Sequence, residues 1–168
     1  MRVILAALLG GLFITSFLAP AALAVPISYS ATLTGPGENP PNASPGIGLA
    51  TVIIDDAANT LFVNVSFSGL LGTTTAAHIH CCVAPPGNVS PATQTPSFVG
   101  FPLGVNAGAY TNIFDTSLTS TFNAAFVTAN GGTAAGAEAA LLAGLAAGQA
   151  YFNVHTNQFP GGEIRGFL

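Results

Sequence analysis

The chain has 168 residues, with 20 Gly, 12 Pro, 12 Phe and 3 Tyr, but only two basic residues, Arg2 and Arg165, and six acidic ones. Half the residues are apolar and mean hydropathy is +0.62, so the chain can bury a core and is not a disordered segment. A formal charge of −4 with so few cations excludes a basic footprint for nucleic acid or an anionic membrane surface.

Met1 to Ala24 reads as a secretory signal peptide. Arg2 forms the n-region, an apolar stretch runs from Val3 to about Leu18, Pro20 breaks it, and Ala22-Leu23-Ala24 gives the small-x-small cleavage pattern. The expected organisation is therefore a signal peptide over 1–24 and one domain over 25–168. The remainder holds no uninterrupted apolar run of the ~18 residues a membrane span needs. A secreted, periplasmic or extracellular location without a membrane span follows as an expectation.

Export permits disulfides, yet the only cysteines are the neighbours Cys81 and Cys82. Ordinary disulfides need Cα atoms about 4.4–6.8 Å apart, against about 3.8 Å for adjacent residues. Free thiols, a strained vicinal ring, an intermolecular bridge and metal ligation stay open for this pair.

Short apolar runs between Gly-, Pro- and Asn-rich turns predict an all-β chain. Strands are expected at Ile27–Leu33, Gly48–Asp55, Leu61–Phe67, Thr74 to about Val83, Tyr110–Phe114, Leu118–Val127, Ala150–His155 and Glu163–Leu168. Between them, Gly35–Gly46, with four prolines, and Ala84–Pro96 read as loops. In Leu61–Phe67 the apolar residues alternate, as in a half-buried antiparallel strand. Ala134–Ala147 is the one helical candidate. It is apolar nearly all round, so it should be covered, and Gly136 and Gly144 weaken it. The expected architecture is an antiparallel Greek-key-like β-sandwich, of superoxide-dismutase or immunoglobulin type, with one short helix before the last strands.

All three histidines fall in two motifs, Ala77-His78-Ile79-His80-Cys81-Cys82 and Tyr151-Phe152-Asn153-Val154-His155-Thr156. On a strand His78 and His80 share one face, opposite Ile79. Phe152 and Val154 likewise oppose Tyr151, Asn153 and His155. If Ile79, Phe152 and Val154 fill the core, the imidazoles face outward or into a cleft. His-x-His on one strand and a third His on its neighbour form a three-histidine metal site with an open position, suited to copper or zinc. Cys82 has the same parity. It lies about 13.6 Å from His78 along an ideal strand, so its membership is conditional on a bulge or on the strand ending at Cys81. The bland alternative is that the imidazoles simply hydrogen-bond backbone carbonyls.

The run Phe159-Pro160-Gly161-Gly162-Glu163-Ile164-Arg165-Gly166 ends in a tight turn and a strand. Glu163 and Arg165 share a strand face. With Asn153 they form a structural or partner-binding motif. The favoured reading of Arg165 is an ion pair or hydrogen bonds to loop carbonyls. No Gly-x-Ser-x-Gly elbow or phosphate-cradling loop with Lys is present, and no nucleophile, base and orienting group assemble in the sequence.

At these motifs the chain resembles the CHRD domain family, named for chordin. The matching segments are Tyr29–Gly35, Ala77–His80, Tyr151–Thr156 and Pro160–Gly166. Cys81-Cys82 departs from the Gly-Pro that often follows His-Ile-His in that family. The resemblance covers nearly all of residues 27–168. It implies an extracellular all-β module, which in chordin belongs to a secreted antagonist of growth factors and in microbes to exported proteins. A looser likeness to copper-zinc superoxide dismutase meets the difficulty that its two-metal site needs more histidines than the three present. The leading expectation is an exported, non-catalytic module that binds an extracellular protein or a surface polymer. The alternative is a copper- or zinc-binding protein using His78, His80 and His155. A metal-dependent redox enzyme is the remote third.

Overall fold

The computed structural model describes residues 25–168, so the signal-peptide reading of Met1–Ala24 lies outside the described residues. Seven strands follow in chain order: β1 Ile27–Thr34, β2 Ile47–Asp55, β3 Thr60–Ser68, β4 Thr74–Cys81, β5 Gly108–Asp115, β6 Ala150–Thr156 and β7 Ile164–Phe167. All pair antiparallel in one sheet, in the order β4-β6-β7-β1-β2-β3-β5. The expected all-β architecture is present, and its sandwich-like character comes from curling. Phe98 shows this directly. Its ring lies 5.1 Å from Phe114 on β5 and 6.0 Å from Phe152 on β6, strands four places or more apart in the sheet. The concave side holds one core that includes Leu33, Val52, Val63, Ile79, Phe152 and Ile164.

Local chemistry sets the elements. In β3, Leu61, Val63, Val65 and Phe67 are buried while Asn64 and Ser66 are exposed, the alternation of a strand with one wet face. The turn into β3 is closed by Asp55 Oδ1, which accepts from the Ala58 amide at 3.0 Å, with Asn59 at φ 51°. Asn tolerates that left-handed conformation because its short polar side chain bonds locally. Strand β6 breaks the alternation, since every residue in it is buried. Its second face lies beneath loops instead of solvent.

Two helices lie between β5 and β6: α1 Ala124–Ala129 and α2 Ala134–Ala146. Helix α2 matches the predicted segment, and the Thr133 hydroxyl caps it by accepting from the Gly136 amide at 3.1 Å. The strand expected over Leu118–Val127 does not form. A short 3-10 turn at Thr119–Thr121 and α1 occupy the segment. Asn123 Oδ1 accepts from the Ala125 amide at 2.9 Å, and this N-cap outweighs the strand propensity of Phe122, Phe126 and Val127. No described helix is long and apolar enough to cross a membrane.

Gly144 explains a weakness in α2. A Cβ there would run into the sulfurs of Cys81 and Cys82, so the helix can approach the end of β4 only without a side chain at this position. Replacing glycine by alanine in a helix is normally stabilising by roughly 0.8–1 kcal/mol. Gly144→Ala is instead expected to destabilise by about 1–3 kcal/mol, the usual range for overpacking. Chemical denaturation of the variant checks this, and a gain in stability would contradict the packing described.

Candidate metal centre

The convex face of β4, β6 and β7 is polar yet buried. Cross-strand register aligns His78 with Asn153 and Arg165, and His80 with Tyr151 and Phe167. His155 stands opposite Ala76, next to a register shift between Thr74 and Ala76. Ile79, Phe152 and Val154 fill the other face, as the parity argument requires. The three histidines do not face open solvent: they are 6, 6 and 9 % exposed, under the loops that precede β2, follow β4 and precede β7.

The rings converge. His78, His80 and His155 have centroids 5.1–5.7 Å apart, and one ring nitrogen of each lies within 4.8 Å of the other two. Nitrogens on a tetrahedral ion bonded at 2.0–2.1 Å sit roughly 3.4 Å apart, so side-chain shifts of about an ångström would close the set.

Each imidazole is oriented by one backbone carbonyl. His78 Nε2 lies 2.7 Å from Pro96 O, His80 Nδ1 2.7 Å from Val89 O, and His155 Nδ1 2.9 Å from Pro160 O. A carbonyl can only accept, so these nitrogens carry the protons and donate. The remaining nitrogens, His78 Nδ1, His80 Nε2 and His155 Nε2, are buried without a partner. Buried polar atoms are normally hydrogen-bonded. Three unpartnered lone pairs in one pocket, each fixed by a hydrogen bond on the far nitrogen, have the construction of metal-ligating histidines. The bland alternative accounts for the bonded nitrogens but not for these.

Burial lowers all three histidine pKa values. It brings His78 to about 4, helped by the charge of His155 and opposed by the Pro96 bond. His80 also falls to about 4 through burial, against the Val89 bond and with the charges of His155, His78 and Arg165 adding to the shift. Burial lowers His155 too, against the Pro160 bond. At neutral pH all three are therefore uncharged, the form that binds metal.

Cys82 lies outside this group. Strand β4 does end at Cys81, but the two sulfurs are joined in a vicinal disulfide, with Cα atoms 3.1 Å apart. Both sulfurs face α2, with Cys82 Sγ 3.5 Å from Ala140 O. Of the four readings left open for this pair, the chain adopts the intramolecular ring.

Asn153, Glu163 and Arg165 are all buried. The Arg165 Nε donates to Gly37 O at 2.7 Å, while its terminal nitrogens donate to Asn88 Oδ1 at 2.7 Å, Pro86 O at 2.8 Å and Gly87 O at 3.3 Å. This matches the reading of an arginine bonded to loop carbonyls. Its carboxylate partner is Glu38, at 3.7 Å, and not the nearby Glu163. Burial raises Glu38 to about 7 against the opposing Arg165, Asn153 and Asn39. Glu163 holds a different junction. It accepts from the hydroxyls of Ser44 and Thr156 at 2.6 and 2.7 Å and from the amides of Leu71 and Gly72. Burial pushes its pKa up, but these four donors outweigh it and hold the carboxyl below the ordinary value.

Sequence reasoning did not find Glu38, Tyr151 or the three orienting carbonyls. The Tyr151 ring stacks on His80 with centroids 4.7 Å apart, and the Arg165 guanidinium lies 4.7 Å from the centre of the same ring. The sequence signals for Tyr151 are its parity with Asn153 and His155 and its place in the Tyr151–Thr156 motif, and neither assigns it a stacking role. Backbone acceptors leave no residue-type signature at all.

A family model described as CHRD domain matches residues 29–168. No curated protein and no solved structure matches the chain.

Two measurements test this description. For the histidines the unfolded pKa of about 6.5 lies above the folded values of about 4 for His78 and His80, so their contribution is full above pH 6.5 and is lost on acidification. Glu38, raised to about 7, acts oppositely and loses its contribution as pH rises through 7. Between about pH 4.5 and 6.5 three groups oppose one. The Tm of the metal-free protein should therefore rise with pH across that window, and replacing all three histidines by glutamine should abolish the rise. Separately, Arg165→Ala should destabilise by about 3 kcal/mol or more, because it strands the buried Glu38 and several carbonyls. A denaturation midpoint within error of the parent would contradict the bonding described.

Proposed function

We propose, from the premise that the chain belongs to the CHRD domain family, that this module holds one copper or zinc ion through His78, His80 and His155. The observation that carries the reading is the set of three buried ring nitrogens without partners, converging from two adjacent strands. Three imidazole donors suit either metal and leave a further position open.

The protein's contribution is preorganisation. The Pro96, Val89 and Pro160 carbonyls fix the tautomers, burial keeps the rings uncharged, and the curled sheet keeps two ligands on β4 and one on β6. Of the two buried carboxyl groups on this side, Glu163 is bonded to four donors, while Glu38 pairs with Arg165 and keeps Oε1 buried without a partner. The family's generally non-catalytic character supports binding, storage or buffering of the ion as its role. The signal-peptide pattern of Met1–Ala24 and the extracellular character of the family support an exported site of action. An extracellular protein or surface polymer, the partner expected from the family, would engage a different face, and that binding should survive loss of the histidines.

Elemental mass spectrometry on exported protein, purified without chelator or affinity tag, should find close to one copper or zinc ion per chain. His80→Ala should remove it. Metal-free protein that takes up neither ion on titration would overturn the proposal.

A further inference from the structure

We propose that the outer face of β1, β2 and β3 binds a neutral polysaccharide chain, seated on Ile47 and Leu49 of β2. The proposal rests on the surface-polymer partner of the reading above and deepens it by giving that polymer a chemistry and a place. It makes no use of the metal.

The sheet has two ends, in the order β4-β6-β7-β1-β2-β3-β5. Loops cover the outer face at the histidine end. At the other end the inward residues, such as Ala50, Val52, Val63 and Val65, fill the core, and the outward ones meet solvent. Antiparallel register sets outward residues side by side. It aligns Thr32 with Leu49 and Leu49 with Ser66, and likewise Thr34 with Ile47 and Ile47 with Ser68.

These two rows hold an open depression of about 510 Å³, lined by Thr32, Ile47, Leu49, Ser66 and Ser68. Its floor is apolar. Ile47 and Leu49 stand two residues apart on β2 and are 54 and 53 % exposed. Its rims are hydroxyls, from β1 on one side and β3 on the other. Exposed apolar side chains grouped within a polar rim have the pattern of a binding surface.

The chemistry of floor and rims selects the ligand. Among the described residues the only charged side chains on this face are Asp55 and Asp115, at the ends of β2 and β5. Asp55 is about 27 Å from Ile47 along the strand. An anionic chain finds no cation here, and a cationic one no neighbouring acid. A hydroxyl both donates and accepts, so the rims fit a ligand whose own edges carry hydroxyls. A sugar ring has this layout, with C–H bonds on its faces and hydroxyls around its edge. Strands about 4.8 Å apart put the rims about 10 Å apart, room for one ring with a hydrogen bond on each side.

The layout continues along the strands, which favours a chain over a single sugar. Beyond Thr32, β1 presents the exposed Ser30, and beyond Ser66, β3 presents the exposed Asn64. Asn64 Nδ2 donates to Thr111 Oγ1 on β5 at 2.6 Å, which fixes the amide and leaves its oxygen to accept from a second ring. A protein partner fits this face less well. Four strands of eight or nine residues present roughly 500 Å², short of the ~800 Å² per partner of a stable interface. Its outward residues also include no Tyr, Trp or Arg, the usual anchors of such interfaces.

Calorimetric titration of exported protein with cellohexaose, chitohexaose and a sulfated heparin hexasaccharide tests this. One or both neutral chains should bind and the sulfated one should not. Cellohexaose alone would point to a glucan, and chitohexaose alone to a polymer of N-acetylated sugars. The double substitution Ile47→Ser, Leu49→Ser should weaken binding at least about tenfold, with the circular dichroism of the folded protein retained. Ile113→Ser removes an apolar residue that is 64 % exposed on the same face but outside the depression, and should leave binding unchanged. The proposal is overturned if neither neutral chain binds, if the sulfated chain binds as well, or if Ile113→Ser matches the double substitution. Self-association in sedimentation that the double substitution abolishes would overturn it too, by showing that the face joins two copies. Metal content of the same variants should stay at the parent value. Failed sugar binding with the ion retained overturns this proposal alone, and sugar binding without any ion overturns the metal-holding reading alone.

Discussion

The buried guanidinium of Arg165 is the constraint on which the polar half of the molecule depends. It stands on β7 at 1 % exposure and gathers backbone and side-chain oxygens from two loops, Gly37 on one side and Pro86, Gly87 and Asn88 on the other. Those loops are proline-rich and have few strand bonds of their own. A planar, permanently charged donor fork is the side chain suited to hold several carbonyls at once. Because the second loop continues to Val89, whose carbonyl orients His80, fixing the loop also fixes a candidate ligand. The stack of Arg165 on Tyr151 and of Tyr151 on His80 makes the same connection through side chains.

Glu163, two residues earlier, does the complementary task with the opposite charge. Its carboxylate gathers donors from the loop before β2, from the β3–β4 connection and from the end of β6. One acid and one base at the start of β7 thus tie down the loops around the sheet's centre. This is why β6 is covered on both faces, and why three histidines on a convex sheet face end up dry. Burial then has an electrostatic result: the imidazoles stay neutral and their free nitrogens stay without hydrogen-bond partners. A fully apolar pocket would have no reason to keep three such lone pairs together.

Much of this was legible in the chain, for identifiable reasons. Strand parity placed His78 and His80 on one face and Ile79, Phe152 and Val154 on the other, because side-chain direction in a strand has a period of two whatever the neighbours. The helix at Ala134–Ala146 and the strands β2 and β3 are equally clear from composition and alternation. The segment from Leu118 to Val127 has the aromatic and β-branched composition of a strand, yet it folds as a 3-10 turn and α1 because Asn123 caps the helix. The partner of Arg165 was also not readable. Adjacency in sequence pointed to Glu163, whereas Glu38 is brought in from the loop after β1.

The sequence by itself determined the all-β class, the facing of the histidine strands, the longer of the two helices among the described residues and the scarcity of basic residues, because each follows from local periodicity or composition. Only the tertiary structure decided that the three imidazoles share one pocket, which nitrogen of each is left free, and that Cys82 turns away from them. Those outcomes depend on sheet order, on a register shift beside Ala76 and on carbonyls in distant loops. Backbone carbonyls are the same in every residue, so no pattern of side chains announces where they will point.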